Sequence, residues 1–185
     1  MAAEMISIRE ARSEDLEALR RINAESAPDV SLLDAGTMQM LAATATVAWV
    51  ALARGAISGY LVGFAHPAPY EGEEFIWVKN RCQDFVFVDQ VAVGARCRGL
   101  GVGAALYAAL ERWAVRKHLR WLACGVNLEP PNPRSFAFHH RQGFIEIGRM
   151  KTTAGLYVAL LRKEIRALQG PGDASTAPEQ PTSRE

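Results

Sequence analysis

Val91-Ala92-Val93-Gly94-Ala95-Arg96-Cys97-Arg98-Gly99-Leu100-Gly101-Val102-Gly103-Ala104 carries an apolar strand into a basic, glycine-rich loop and then into a long helix. Gly99, Gly101 and Gly103 lack a Cβ, so the chain can turn tightly there and a bulky anion can sit against main-chain N–H groups. The helix is predicted over 101–117, along Leu106, Tyr107, Leu110, Trp113 and Ala114, and the N–H groups of its first turn have no intrahelical acceptor. An anion placed there gains roughly 0.3–2 kcal/mol from the helix dipole before any side chain acts. Arg96 and Arg98 add fixed positive charge.

Three phosphate-binding loops have this general form. A P-loop needs a Lys-Ser/Thr pair after its last glycine, and Ala104-Ala105 stands there instead. Gly99-x-Gly101-x-x-Ala104 satisfies the dinucleotide fingerprint, but that motif needs an acidic residue at the end of the next strand to hold a ribose. The next predicted strand, Trp121 to Asn127, ends in asparagine. What remains is Arg98-Gly99-Leu100-Gly101-Val102-Gly103, which fits the Q/R-x-x-G-x-G/A signature of the GNAT superfamily of N-acetyltransferases. The chain resembles that superfamily.

The whole sequence is compatible with this. It has 185 residues, 49% of them hydrophobic, and a formal net charge of +1. That predicts one globular domain, over residues 5–165, with a sizeable core, and argues against a nucleic-acid partner, which calls for a basic excess. Met1-Ala2-Ala3-Glu4-Met5 shows no basic, then apolar, leader pattern, and no later apolar run is long enough to span a bilayer. The expectation is a cytoplasmic protein with no membrane partner. Cys82, Cys97 and Cys124 match neither a disulfide framework nor a zinc pattern and read as reduced thiols, Cys124 buried, with no metal site. Residues 169–185, rich in Pro, Gly, Ser, Thr and Glu, are expected to form a disordered tail.

Periodicity gives the order β-α-α-β-β-β-α-β-α-β-β. Ile6 to Arg9 reads as a strand, and Ser13 as the cap of a helix with Leu16, Leu19 and Ile22 on one face. A second helix is expected over 32–41, a hairpin across Arg54-Gly55, and a buried strand over 84–93. His66 to Arg81 reads as a long functional loop. A short helix over 133–141 and strands over 144–150 and 155–162 close the domain. The order resembles the acyl-CoA N-acyltransferase fold from Ile6 to Lys163. That fold implies α/β architecture with a mixed, mostly antiparallel sheet of about seven strands, a V-shaped splay and about four flanking helices. A second local match strengthens it: Asn127, then Asn132 and Ser135, then Phe138-His139-His140-Arg141-Gln142-Gly143-Phe144, with His139 where the superfamily places a tyrosine. Pro130-Pro131-Asn132-Pro133 is similar to the same stretch in a bacterial subgroup of that superfamily.

The resemblance implies an acetyl-CoA-dependent N-acetyltransferase acting on an amine of a small molecule or a peptide. It assigns Val91, Ala92 and Val93 to the pantetheine arm, and Arg98, Gly99, Leu100, Gly101, Val102, Gly103 and Ala104 to the pyrophosphate. Asn127, Asn132 and Ser135 are further cofactor-binding candidates, though Asn132 and Ser135 suit helix capping equally. A lysine-like amine with pKa near ~10.4 costs about 4–5 kcal/mol to deprotonate at pH 7, so a base is valuable. Asp89, interrupting the apolar run Phe85 to Val91, is the candidate, burial raising its pKa. The alternative is an Asp89 paired with Arg81 or Arg134. Glu71, Glu73 and Glu74 either attract a cationic amine, relay through water, or are simply solvated. His139 either protonates the departing CoA thiolate or packs without proton transfer. A non-catalytic acyl-CoA-binding module and a dinucleotide oxidoreductase are the competing functions. The resemblance implies pairing through C-terminal strands, and Gly155 to Leu161, apolar on both faces, is expected to join two copies into a homodimer, since edge exposure of such a strand is a liability in a monomer.

Overall fold

The computed structural model describes residues 6–165; the expected tail over 169–185 lies outside them. One sheet runs in the order β1-β2-β3-β4-β5-β7-β6, built from β1 (Ser7–Glu10), β2 (Val47–Ala53), β3 (Ala56–Ala65), β4 (Phe85–Val93), β5 (Trp121–Glu129), β6 (Ile145–Lys151) and β7 (Tyr157–Glu164). Neighbours are antiparallel except β4 and β5, which are parallel. The helices among the described residues are α1 (Leu16–Ser26), α2 (Ala35–Thr44), α3 (Glu73–Lys79), α4 (Val102–Arg116) and α5 (Pro133–Arg141). None is long and apolar enough to cross a membrane.

Two apolar layers sandwich the sheet, and the period-two alternation of strand side chains sorts residues between them. Phe85 and Phe87 join Leu19 and Ile22 of α1, Met38 and Leu41 of α2, and Phe75 and Val78 of α3 on one face. Val86 and Val88 join Leu106, Tyr107, Leu110 and Ala114 of α4 on the other. The four α4 residues recur at helical spacing, so one stripe of that helix is fully covered. Helix α4 ends where His118 turns left-handed, at φ 56°.

Three expectations need correction. His66 to Arg81 contains a helix, α3, whose first turn is acidic through Glu73 and Glu74 and whose last turn holds Lys79. Its seven residues are too few for a conspicuous apolar period, and packing of Phe75 and Val78 decides it. Ser13 does not cap α1: it lies in a short 3₁₀ turn, Ser13–Asp15, in which Asp15 accepts from the Arg12 N–H at 2.7 Å and pairs with Arg9 at 2.6 Å. Strand β7 is no edge, because β5 and β6 pair with its two sides. The apolar character of Gly155 to Leu161 is satisfied inside the sheet, so edge exposure of that strand gives no reason for a homodimer.

Candidate active site

Strand β4 is bonded to β5 only from Phe85 to Val88, the last pair being Val88 with Cys124. Beyond that point β5 follows β7, while β4 stays with β3 through Val93, and the two strands part. Among the described residues, one edge of β4 from Asp89 to Val93 therefore has no strand partner. On its other side the register slips, with Gly63 opposite Val88 and Val62 opposite Gln90. Asp89 is thus the extra residue of a β-bulge, a device that re-aims a side chain and bends the strand. A cleft of about 760 Å³ occupies the splay, lined by the β4 edge, the glycine loop, the start of α5, the α1–α2 connection, Tyr70 and Glu74.

The glycine loop lines the cleft, and its glycines are used differently. Gly99 (φ 81°) and Gly101 (φ 85°) are left-handed, and a Cβ at either would point into open space. Gly101 precedes α4, leaving the N–H groups of Val102, Gly103 and Ala104 in its first turn. Gly103 serves packing instead: a Cβ there would come within 3.2 Å of the Phe138 ring. Arg98 lines the cleft, but its Nε donates to the Val93 carbonyl at 3.2 Å and a terminal nitrogen to the Glu25 carbonyl at 3.1 Å. Its charge remains near the cradle while its hydrogen bonds tie the loop to α1. Leu100 is exposed and lies outside the cleft lining. Arg134 and Arg141, which no local pattern marked as cofactor contacts, line the cleft as well.

Asn132 caps α5: its Oδ1 accepts from the Ser135 N–H at 3.0 Å, and its Nδ2 donates to the Asp29 carbonyl at 3.1 Å. That second bond fastens the α1–α2 connection across the cleft. Asn127 lines the cleft, and its carbonyl accepts from the Asn132 N–H at 3.2 Å. A buried polar hub, illegible in sequence, holds the other end of the same connection. Asn23 accepts from the Leu33 N–H at 2.8 Å and donates toward Ser31, Tyr60 and Gln90.

Asp89 lines the cleft, and among the described residues no ion pair joins it to Arg81 or Arg134. Arg81 lies over the Trp77 ring at 3.8 Å and donates to the Trp77 carbonyl, and Asp89 accepts from the Tyr70 hydroxyl at 2.5 Å. Burial pushes the Asp89 carboxyl up to about 6, against the Tyr70 hydrogen bond that lowers it, with the Glu74 charge adding to the rise. Of the loop acids, Glu74 lines the cleft beside Gly125. Glu73 instead accepts from the Thr153 backbone N–H at 2.9 Å and anchors α3 to the β6–β7 turn.

His139 also lines the cleft, but it is almost fully buried among Tyr107, Phe138 and Phe144. Its Nδ1 lies 2.8 Å from the Ser135 carbonyl, which can only accept, so Nδ1 carries the proton. Nε2 then accepts from the Tyr107 hydroxyl at 2.8 Å. Burial pushes the imidazole down to about 4. It is neutral at pH 7, with both nitrogens committed. The Ser135 hydroxyl, 3.2 Å from Nδ1, accepts from that same N–H and keeps its own proton to donate.

The model of the acetyltransferase (GNAT) family matches residues 8–144. The chain belongs to that family. As a GNAT protein it is an acetyl-CoA-dependent N-acetyltransferase. No curated protein matches it at a significant level. Its fold is that of Ard1 from Thermoplasma volcanium (17% identity, 88% of this chain and 99% of that one, TM-score 0.71). It is also similar to a ribosomal-protein-alanine N-acetyltransferase from Brucella melitensis (25%, 85% and 99%, TM-score 0.65). A third relative in fold, yncA from Salmonella typhimurium, was solved with its cofactor acetyl-CoA (19%, 92% and 99%, TM-score 0.63). The GNAT residues present fit that cofactor: open left-handed glycines at a helix N-terminus suit a pyrophosphate, and an unpaired strand edge suits pantetheine amides.

Proposed function

We propose that this acetyltransferase acts on a primary amine that enters as a cation from the α3 side of the cleft. The observation that carries the reading is Asp89, thrust by the β4 bulge into the point where β4 and β5 part, with Glu74 on the facing wall. When bound, acetyl-CoA supplies the acetyl group as a thioester. The β4 edge from Val91 to Val93, the amides of Val102 to Ala104, and the charges of Arg98 and Arg134 hold the cofactor; Asn127 and Asn132 shape its wall.

Asp89 has one oxygen bonded to Tyr70 and the other without a protein partner among the described residues. That second oxygen takes the proton from the entering ammonium, leaving the nucleophilic amine. A carboxyl titrating near 6 is ionised at pH 7 yet more basic than an ordinary aspartate, as a general base requires. The Ser135 hydroxyl would donate a hydrogen bond to the departing sulfur while keeping its own proton, and the thiolate would take its proton from solvent. His139, with its ring neutral and both nitrogens in use, fixes Ser135 rather than delivering a proton.

Two carboxylates at the acceptor end repel an acceptor that carries its own carboxylate. CoA release from acetyl-CoA, followed over paired amines such as tyramine and tyrosine and over peptides with free N-termini, tests the acceptor class. The highest kcat/KM is expected on amines lacking a neighbouring carboxylate. Preference for free α-amino acids, or release confined to hydroxyl acceptors, overturns the reading.

A further inference from the structure

The geometry points to Tyr70 as the positioning residue of the base: it grips one oxygen of Asp89 so that the other is presented to the amine. This rests on the reading of Asp89 as base. Tyr70 comes from the β3–β4 connection, remote in sequence from the glycine motif, and its ring is fixed from several directions. It stacks flat on Phe64 with centroids 3.7 Å apart and meets the edge of Phe75 at 5.6 Å. Gly72 passes so close that a Cβ there would come within 2.5 Å of the ring. Glu73, one residue on, accepts from the Thr153 N–H and pins the connection to the β6–β7 turn. A phenol held this firmly sets where its carboxylate partner points, because the 2.5 Å hydrogen bond to Oδ1 leaves Asp89 little rotation.

The surroundings of Asp89 make that one donor matter. From α3 comes Glu74, a like charge, and from β3 comes the Tyr60 hydroxyl, which is directed to Gln90 Oε1 at 3.3 Å. The α1 side contributes the neutral Asn23, also directed to Gln90. No ion pair to Asp89 is present among the described residues, so Tyr70 supplies its only hydrogen bond there. In the proton transfer, the N–H bond of the ammonium breaks and an O–H bond forms at Asp89 Oδ2. The Tyr70 proton stays on the phenol, whose ionisation is pushed far up by burial and by the Asp89 charge.

Tyr70→Phe keeps the stacked ring and deletes the donor. In the full chain with CoA present, carboxyl-detected NMR should show the Asp89 titration rising by about one unit or more, since a hydrogen bond to the charged form favours it. With Nα-protected lysine as the amine, kcat at pH 6–7 should fall with KM little changed, and should recover as the pH rises. Fluorotyrosine at position 70, a stronger donor, should move the titration down instead, which covers the case of a Tyr70→Phe chain that does not fold. A purely structural Tyr70 would change thermal stability and leave the titration in place, and that result overturns the inference. A moved titration combined with wild-type turnover by Asp89→Asn would keep Tyr70's hold on Asp89 and overturn Asp89 as the base.

Discussion

The two ends of the cleft are made of different material. The end proposed to hold the cofactor is built from backbone: a strand edge freed at Val88, two left-handed glycines and the first amides of α4. Even its arginine, Arg98, spends its hydrogen bonds on carbonyls of Val93 and Glu25. The acceptor end is built from side chains brought from separate elements, Asp89 on β4, Tyr70 and Glu74 from the β3–β4 connection, and the α1–α2 connection tethered through Asn23 and Asn132. A backbone-made site reads one ligand chemistry and tolerates side-chain change; a side-chain-made site can be retuned one residue at a time. Substitutions should therefore separate the two ends, hitting binding at one and chemistry at the other.

The largest effect is expected at the acceptor end. Asp89→Asn should lower turnover of Nα-protected lysine by roughly 10²–10⁴-fold, the usual range for losing acid–base assistance, while acetyl-CoA still raises the melting temperature. In the wild type, kcat/KM should fall about tenfold per unit as the pH drops below about 6, because the base must be ionised to act. A flat profile from pH 5 to 8 would break the assignment.

Gly101→Glu should do the reverse. A non-glycine residue at φ 85° is strained, and a carboxylate there repels pyrophosphate, so the acetyl-CoA thermal shift should vanish. Retention of the shift would mean that the cradle lies elsewhere.

Next comes the pH dependence of stability, to which His139 and Asp89 contribute with opposite signs. His139 has a folded pKa near 4, below its ordinary value of 6.5, so the unfolded chain binds the proton first and stability is lost as the pH falls from 6.5 toward 4. Asp89, raised from 3.8 to about 6, gives stability that is present at acid pH and lost as the pH rises through that window. Thermal unfolding of Asp89→Asn should therefore fall more steeply from pH 6.5 to 4 than the wild type. The double variant with His139→Gln should lose that component. Identical slopes in all three chains would contradict a buried neutral imidazole.

The smallest effect is expected at Gly103→Ala. Its Cβ would meet the Phe138 ring at 3.2 Å, a tight contact that offsets the helix propensity gained over glycine, so stability should change by about 1 kcal/mol or less, with the acetyl-CoA shift preserved. Loss of the shift without loss of stability would move Gly103 from the α4–α5 seam into the cradle.

Much of the fold was legible because its signals are local. The run from Val91 to Ala104 announces strand, turn and helix within one stretch, and Asn132-Pro133 followed by Gly143 brackets α5 with a cap, a first-turn proline and a left-handed stop. Glu73 to Lys79 carried its own signal, acidic first turn and basic last turn, but too few residues to outweigh the prolines before it. The role of His139 was not legible, because its position in the motif says nothing of the Ser135 carbonyl that fixes its proton or of Tyr107, on another helix, that occupies its other nitrogen.

The sequence by itself determined the fold class, the glycine turn that opens α4 and the presence of an acid in strand β4, since glycine conformation, helix ends and strand alternation are set by neighbours along the chain. Only the tertiary structure decided what that acid faces. A one-residue slip between β3 and β4 turns Asp89 into the splay, and the aromatic stack of Phe64, Tyr70 and Phe75 brings it a phenol from a distant connection. Register and side-chain packing are cooperative properties of the whole sheet, and no window of sequence contains them.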